Sequence, residues 1–215
     1  MFNKCKYIII CLIVSAAVSA ADELTAHFLN VGHGDAIILQ FPQGTVMLVD
    51  GGMPEYGEKV VDYLSDLGLS HYLDYIMLTH SHDDHVGRLN FILQNLTVGK
   101  ELLSEYSEPT ELYQRFIFLV DSLQIPQRIV SRGDVLEIDS LNMEIINPPA
   151  GKTLEALRGP NGASIAMKID IGETDMLFMA DVDKMTDMEI VNEYGKGLEA
   201  AVLKAAHHGS GVSST

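Results

Sequence analysis

Cysteine is nearly absent from this sequence. The 215-residue chain has two cysteines, Cys5 and Cys11, and both lie close to the N-terminus. A chain that loses this stretch has no thiol, so it can form no disulfide and can use neither a cysteine nucleophile nor a thiolate metal ligand. Any metal site in the rest of the sequence must therefore be built from histidine, carboxylate and water.

Basic residues are also scarce, because 14 Lys and Arg stand against 30 Asp and Glu, for a formal net charge of −16. This balance argues against a protein that holds nucleic acid by charge alone. It also argues against a protein that lies on an anionic membrane surface. With 47% hydrophobic residues the chain is too apolar to be disordered, and its length predicts one domain with a substantial core.

No apolar run reaches the roughly 20 residues that a membrane-spanning helix needs. The run at the N-terminus, residues 7–18, has 12 residues and is apolar except for Ser15. It follows Lys4 and Lys6 and is followed by small residues, which is the order of a secretory signal peptide. We therefore expect a signal peptide over residues 1–20, one domain over 21–215, a periplasmic or extracellular location, and no stable membrane insertion after cleavage. The alternative is an uncleaved N-terminal anchor.

Short apolar runs between glycine-rich turns predict β-strands, and apolar residues three or four positions apart predict helices. Strands are predicted at 26–31, 36–41, 45–50, 73–79, 135–138, 143–146, 163–171, 176–180 and 200–206. Helices are predicted at 54–67, 86–96, 109–123 and 183–194. The order of strands, then strand–helix alternation, then strands again indicates an α/β (α+β) fold with two sheets and helices outside.

Histidine is concentrated at two places, each at the C-terminal end of a predicted strand. The members are His80, His82, Asp84 and His85 in the first group, and His207 and His208 in the second. Imidazole and carboxylate groups at this density are costly to crowd together unless cations compensate them. A solvated polar loop is the alternative, and it explains a single histidine better than it explains this density. The pattern predicts a metal site.

The spacing His-x-His-x-Asp-His resembles the signature of metallo-β-lactamase-fold hydrolases. Further stretches, in the same order, resemble the soluble domain of ComEC-type competence proteins. These stretches are residues 27–36, 48–52, 131–134, 147–149, 161–164, 179–181 and 203–210. The resemblance covers about residues 25–215 and implies an αββα sandwich of two mixed sheets with helices outside. Because such relatives continue past the position of His208, it also implies that the domain is C-terminally incomplete.

The resemblance implies a role for each matching residue. Asp50 is expected to brace the metal loop. The expected ligands are His80 and His82 for one ion, Asp84 and His85 for the other, and Asp181 as the acid that bridges both. One histidine of the pair His207 and His208 is expected to close the second site, and His207 is favoured because it ends the predicted strand. His208 is then expected to contact substrate or the transition state, so that Asp84 and His208 are the expected catalytic residues. Apart from the resemblance, Asp181 is an ordinary strand-end acid and the histidine pair is a polar turn.

Several positions depart from the family pattern. No histidine lies between His85 and His207, so the first ion has a thinner set of ligands, which Asn161 or water is expected to complete. His33 stands where relatives often have glutamine, and its flanking glycines make a loop too short to cradle phosphate in the dinucleotide manner. Ala180 stands where a glycine often precedes the bridging acid.

The sequence favours a secreted hydrolase with two divalent ions, Zn²⁺ first and Mn²⁺ as the competitor. Paired ions lower the pKa of a shared water and supply hydroxide at neutral pH. A phosphodiester, either a small molecule or nucleic acid, is the expected substrate, and no protein partner is evident. The alternatives are a lactam, lactone or ester hydrolase, and a non-catalytic metal-binding or partner-binding remnant.

Overall fold

The computed structural model describes residues 10–14, 23–172, 174–211 and 213. The predicted signal peptide lies outside these residues except for Ile10–Val14, whose backbone forms an edge strand, and it stays a prediction. The strands are β1 Ile10–Val14, β2 Leu24–Phe28, β3 Ile37–Gln40, β4 Val46–Val49, β5 Tyr72–Leu78, β6 Thr97–Leu103, β7 Gln127–Ile129, β8 Val135–Ile138, β9 Leu141–Asn147, β10 Ala166–Ile171, β11 Thr174–Phe178 and β12 Val202–Lys204. The helices are α1 Gly57–Asp66, α2 Asp83–Val86, α3 Leu89–Asn95, α4 Glu111–Ser122 and α5 Lys184–Tyr194, with 3₁₀ turns at Pro54–Tyr56, Gly195–Leu198 and Ala206–Gly209.

The strands form two mixed sheets. The first sheet has the order β1-β2-β3-β4-β5-β6-β7; it is antiparallel from β1 to β4 and parallel from β4 to β7. The second has the order β12-β11-β10-β9-β8 and is antiparallel except for the parallel pair β11–β12. Each sheet therefore brings the C-terminal ends of neighbouring parallel strands to one edge.

Apolar side chains from both sheets meet in a central core, because alternate residues of each strand point to opposite faces. Met47 and Met77 of the first sheet share this core with Met167 and Phe178 of the second. The outer face of the first sheet packs against α1, α3 and α4, and the outer face of the second packs against α5. The layers are helix, sheet, sheet, helix, so the predicted αββα sandwich is confirmed.

Most predicted elements are present within a few residues of their predicted ends. The strand predicted at 163–171 begins three residues late, because Ala163 and Ser164 donate to carbonyls of the preceding turn. Three strands of the first sheet, β1, β6 and β7, were not predicted. Among the described residues, no helix has both the length and the apolar character required to cross a bilayer.

Candidate metal centre

The candidate site lies where strand ends from both sheets meet. Asp50 directly follows β4 and His80 lies two residues after β5, and these are parallel neighbours in the first sheet. Asp181 follows β11, and His207 and His208 follow β12, the parallel pair of the second sheet. The backbone links the two sheets here, since Ile165 N donates to the carbonyl of Thr79 at 2.9 Å. Side chains that are far apart in sequence are thereby brought to one edge of the sandwich.

The first histidine group is shaped by the short helix α2. His82 is its N-terminal cap residue, with φ −68° and ψ 149°, and its carbonyl accepts hydrogen bonds from the backbone N–H groups of His85 and Val86. This tight turn directs Asp84 and His85 back toward the strand end. His80 Nε2 lies 3.0 Å from His82 Nδ1, so these two imidazoles form a pair beside the turn.

Asp50 is fully buried and is the central acceptor beneath this turn. Its carboxylate accepts hydrogen bonds from the backbone N–H of Thr79 at 2.8 Å and from the Thr79 hydroxyl at 2.7 Å. It also lies 2.7 Å from His85 Nδ1. An ionised carboxylate only accepts, so the His85 ring donates from Nδ1 and turns Nε2 toward the strand ends of the second sheet. This is the bracing position that the family resemblance implies for Asp50.

Four side chains converge on one point, and we call them the four-residue cluster: Asp84, His85, Asp181 and His208. One oxygen or nitrogen atom from each lies within 4.8 Å of the other three. Asp181 Oδ2 is 3.3 Å from His85 Nε2 and 3.2 Å from His208 Nε2. Asp84 Oδ2 is 3.6 Å from the same atom of His208. The cluster joins α2, which follows the first sheet, to two strand ends of the second.

The electrostatics of the cluster are those of tightly coupled acids and imidazoles. Burial alone lowers the pKa of His85, but the Asp50 and Asp181 carboxylates outweigh it and raise that pKa to about 10. Hydrogen bonding to Asp181, Asp35 and Asp84 raises the pKa of His208 to about 11. Burial raises the pKa of Asp181, but His208 and His85 overcome that effect and hold it well below its usual range. Positive charge is therefore strongly favoured at this point.

The cluster fits a divalent cation. His85 Nε2 and Asp181 Oδ1 are buried and have no hydrogen-bond partner among the described residues, although buried polar atoms are ordinarily paired. Two imidazoles and two carboxylates form a donor set that suits Zn²⁺, and carboxylate-rich sites also take Mn²⁺. A coordinated ion would satisfy both atoms and offset the acids.

The predicted ligands are not all in this cluster. His207, the predicted ligand of the second site, lies outside it: its Nε2 is 3.8 Å from Asp181 Oδ2, and its side chain is 30% exposed. His208, which was expected to contact substrate, belongs to the cluster instead. The ring of His80 lies 4.1 Å from that of His85, centroid to centroid, so His80 and His82 adjoin the cluster without joining it. The division of ligands between two ions, and the assignment of His207 as a ligand, stay predictions.

Two charged residues at the site were not predicted as functional. Lys204 forms an ion pair with Asp35, donates to the carbonyl of Ala180 at 3.2 Å, and lies 3.9 Å from Asp181 Oδ1. Asp35 Oδ1 is in turn 3.7 Å from His208 Nδ1. Burial raises the pKa of Asp35, but His208 and Lys204 outweigh it and lower that pKa. The sequence did contain a signal for Lys204, because it is a single lysine in the apolar strand β12, shortly before the histidine pair.

Asn161 was expected to complete the ligands of the first ion. Its Oδ1 is buried and has no hydrogen-bond partner among the described residues. The oxygen is thus available to a ligand, and the role of Asn161 stays a prediction.

The family model described as "Metallo-beta-lactamase superfamily" matches residues 29–211. The chain belongs to this superfamily, most of whose members are metal-dependent hydrolases, and the four-residue cluster lies inside the matched range.

Individual relatives agree with this membership. The chain is 25% identical over 225 residues to "ComE operon protein 3" of Bacillus subtilis, covering 96% of this chain and 28% of that protein. It is 26% identical over 206 residues to "Endoribonuclease YSH1" of Gibberella zeae, covering 86% of this chain and 24% of that protein. A flavo di-iron protein variant from Thermotoga maritima has a similar fold, with a TM-score of 0.51 and 15% identity over 86% of this chain and 48% of that one. The chain therefore spans about a quarter of the length of these curated relatives.

Proposed function

We propose that this chain is a metal-dependent hydrolase that cleaves phosphodiester bonds. The observation that carries the proposal is the four-residue cluster, in which one donor atom from each side chain lies within 4.8 Å of the other three. Two buried atoms of its residues, His85 Nε2 and Asp181 Oδ1, have no hydrogen-bond partner among the described residues. The name of one relative, an endoribonuclease, supports a phosphodiester as the bond that is cleaved. The resemblance to ComEC-type domains points the same way.

Asp84, His85, Asp181 and His208 would hold one ion, and His80 with His82 would contribute to a second beside it. Bound ions of this kind lower the pKa of a coordinated water and polarise the bond under attack. With an ion bound, the hydrogen bond from His85 Nδ1 to Asp50 would keep the ring proton on Nδ1 and leave Nε2 unprotonated to coordinate the ion. On this geometry we assign His208 to the ligands and the more exposed His207 to the rim, the reverse of the assignment that the sequence favoured.

The net charge of the chain restricts the class of substrate that the site can bind. With a formal net charge of −16, the surface as a whole repels a long polyanion, and the ions themselves must attract the phosphoryl group. A small phosphodiester or a short oligonucleotide suits such a site better than duplex DNA that must be bound tightly.

We further propose that residues 1–20 direct export of the protein. N-terminal sequencing of the secreted protein tests this proposal, and the expected chain begins near Ala21.

The test is metal content by elemental analysis, paired with hydrolysis of bis-(p-nitrophenyl) phosphate. We expect about two ions per chain, and loss of both metal and turnover, at least a hundredfold, in Asp181→Ala and His208→Ala. His207→Ala is expected to keep its metal. His71→Ala is the matched control, because His71 is an exposed histidine that precedes β5.

Each result decides between the alternatives. If the folded wild-type protein contains no stoichiometric metal, the proposed catalytic activity is wrong, and the chain is a non-catalytic remnant without metal. Bound metal without phosphodiester turnover would overturn the substrate class and direct the assay to lactams, lactones and esters. Loss of metal in His207→Ala but not in His208→Ala would reverse the ligand assignment.

A further inference from the structure

The loop that contains His33 is fixed against the four-residue cluster. Its flanking residues Gly32 and Gly34 have φ of 75° and 92°, in the region that favours glycine. A Cβ atom on Gly34 would lie 1.8 Å from the backbone oxygen of Asp84, so only glycine allows this close approach. The loop backbone is thereby held against the turn that presents Asp84, and the position of His33 relative to the cluster is set by the fold.

The His33 side chain lies at the mouth of the cluster and is open to solvent. Its Nε2 is 3.7 Å from Asp84 Oδ2, and its ring centroid is 4.8 Å from that of His208. Yet the side chain is 70% exposed, whereas those of Asp84 and His208 are each 19% exposed. His33 is also outside the four-residue cluster. It therefore borders the place where a substrate would meet the ligands, and it faces the side from which substrate arrives.

Other positive charge at the site is already engaged. Lys204 is largely buried, paired with Asp35, and bound to the carbonyl of Ala180. An imidazole carries at least one N–H donor in either protonation state. His33 can therefore offer a hydrogen bond to an anionic oxygen that enters the mouth.

We propose that His33 is a substrate-binding residue that donates a hydrogen bond to a non-bridging phosphoryl oxygen of the phosphodiester. This inference rests on the proposed function and adds a residue that determines how the phosphoryl group is held. His33 acts from the rim of the site and is not a metal ligand.

The test compares wild-type protein with His33→Leu and His33→Gln in the metal-loaded state. We expect His33→Leu to raise the KM for bis-(p-nitrophenyl) phosphate about tenfold, the loss of one hydrogen bond to a charged group, with unchanged metal content and Tm. His33→Gln keeps an N–H donor and is expected to recover most of the loss. His71→Leu is the matched control and should leave KM unchanged. An unchanged KM in His33→Leu, or a loss of bound metal, would overturn the proposal.

Binding of inorganic phosphate, measured by calorimetry, separates this inference from the proposed function. If the wild type binds phosphate but hydrolyses no phosphodiester, the proposed function fails while His33 is still tested. We expect the Kd for phosphate to rise about tenfold in His33→Leu and to stay near the wild-type value in His33→Gln. Equal affinity in the wild type and His33→Leu contradicts the role of His33, as does a wild type that binds no phosphate.

Discussion

Four of the seven non-glycine residues with positive φ in the described chain lie at the candidate metal centre: Asp50, Ala180, His207 and His208. This backbone region costs an L-residue about 1–2 kcal/mol, and such strain persists where surrounding structure imposes it, often at functional sites. Ala180 stands where the resemblance expects glycine, and its φ of 44° explains that expectation. The fold thus bends the chain sharply at several points to aim these side chains.

Asp50→Asn tests how the buried acid controls the metal ligand. An asparagine of the same shape still accepts from Thr79 but can present N–H to His85 Nδ1, which then becomes an acceptor. The imidazole proton moves to Nε2, the atom that faces Asp181 at 3.3 Å. We expect metal affinity to fall about 10- to 100-fold, measured by competition with a chromophoric chelator. Asp66→Asn, at an exposed carboxylate on α1, is the control, and equal affinities in wild type and Asp50→Asn would contradict the tautomer argument.

The first histidine group was predicted from its density at the end of an apolar strand, whereas Asp181 was expected only because of the family resemblance. The sequence could not decide between His207 and His208. Neighbouring residues of an extended strand point to opposite sides, but both histidines lie in a 3₁₀ turn with φ of 48° and 54°. In that conformation strand alternation no longer indicates which ring faces the cluster, and the choice depends on contacts made by the second sheet.

At the scale of elements, β6 shows why one strand escaped prediction. It lies between β5 and β7 inside the first sheet, yet its sequence contains Gly99, Lys100 and Glu101. Glycine and charged residues are depleted in strands, so the pattern did not indicate a buried element. Glu101 is 1% exposed, and neither of its carboxylate oxygens has a hydrogen-bond partner among the described residues. Tertiary packing has overridden the local preference here.

Glu101→Gln is expected to stabilise the protein at high pH. Burial, assisted by repulsion from Asp121, raises the pKa of Glu101 to about 8, from 4.5. Between these values the unfolded chain loses its proton while the native chain keeps it, so native stability falls as pH rises from about 4.5 to about 8. A glutamine side chain does not ionise, so the variant does not lose stability in this way. Its free energy of unfolding should exceed that of the wild type by an amount that grows over this range, to at most about 5 kcal/mol.

Urea unfolding at pH 5 and pH 8.5, with both proteins in the same metal-loaded state, measures this difference. Glu137→Gln is the matched control, since Glu137 is exposed on the strand β8. A Glu101→Gln difference that is the same at both pH values would show that the carboxyl is ionised in the native state or bound to a compensating group.

At the scale of the whole molecule, the candidate metal centre connects the two halves of the sandwich. Asp84 and His85 belong to α2, which follows β5 of the first sheet, while Asp181 and His208 follow strands of the second sheet. The ion pair between Asp35 and Lys204 crosses the same boundary. Without a metal ion, the raised pKa values of His85 and His208 mean that imidazole protons offset the acids at this edge. A bound ion would take the place of those protons and form bonds to both sheets.

Metal binding should therefore stabilise the entire fold and not merely the loops that hold the ion. At a free ion concentration a hundred times the Kd, binding to the native state contributes about 2.7 kcal/mol, which for a domain of this size raises the Tm by roughly 5–10 °C. Calorimetry with Zn²⁺ or Mn²⁺, reversed by chelator, measures the shift. His71→Ala should shift as the wild type does. Asp181→Ala and His208→Ala, which remove the ligands of the second sheet, should not. An ion can resist separation of the two sheets only if ligands from both sheets bind it. A full Tm shift in either variant would therefore mean that ligands of the first sheet hold the ion alone.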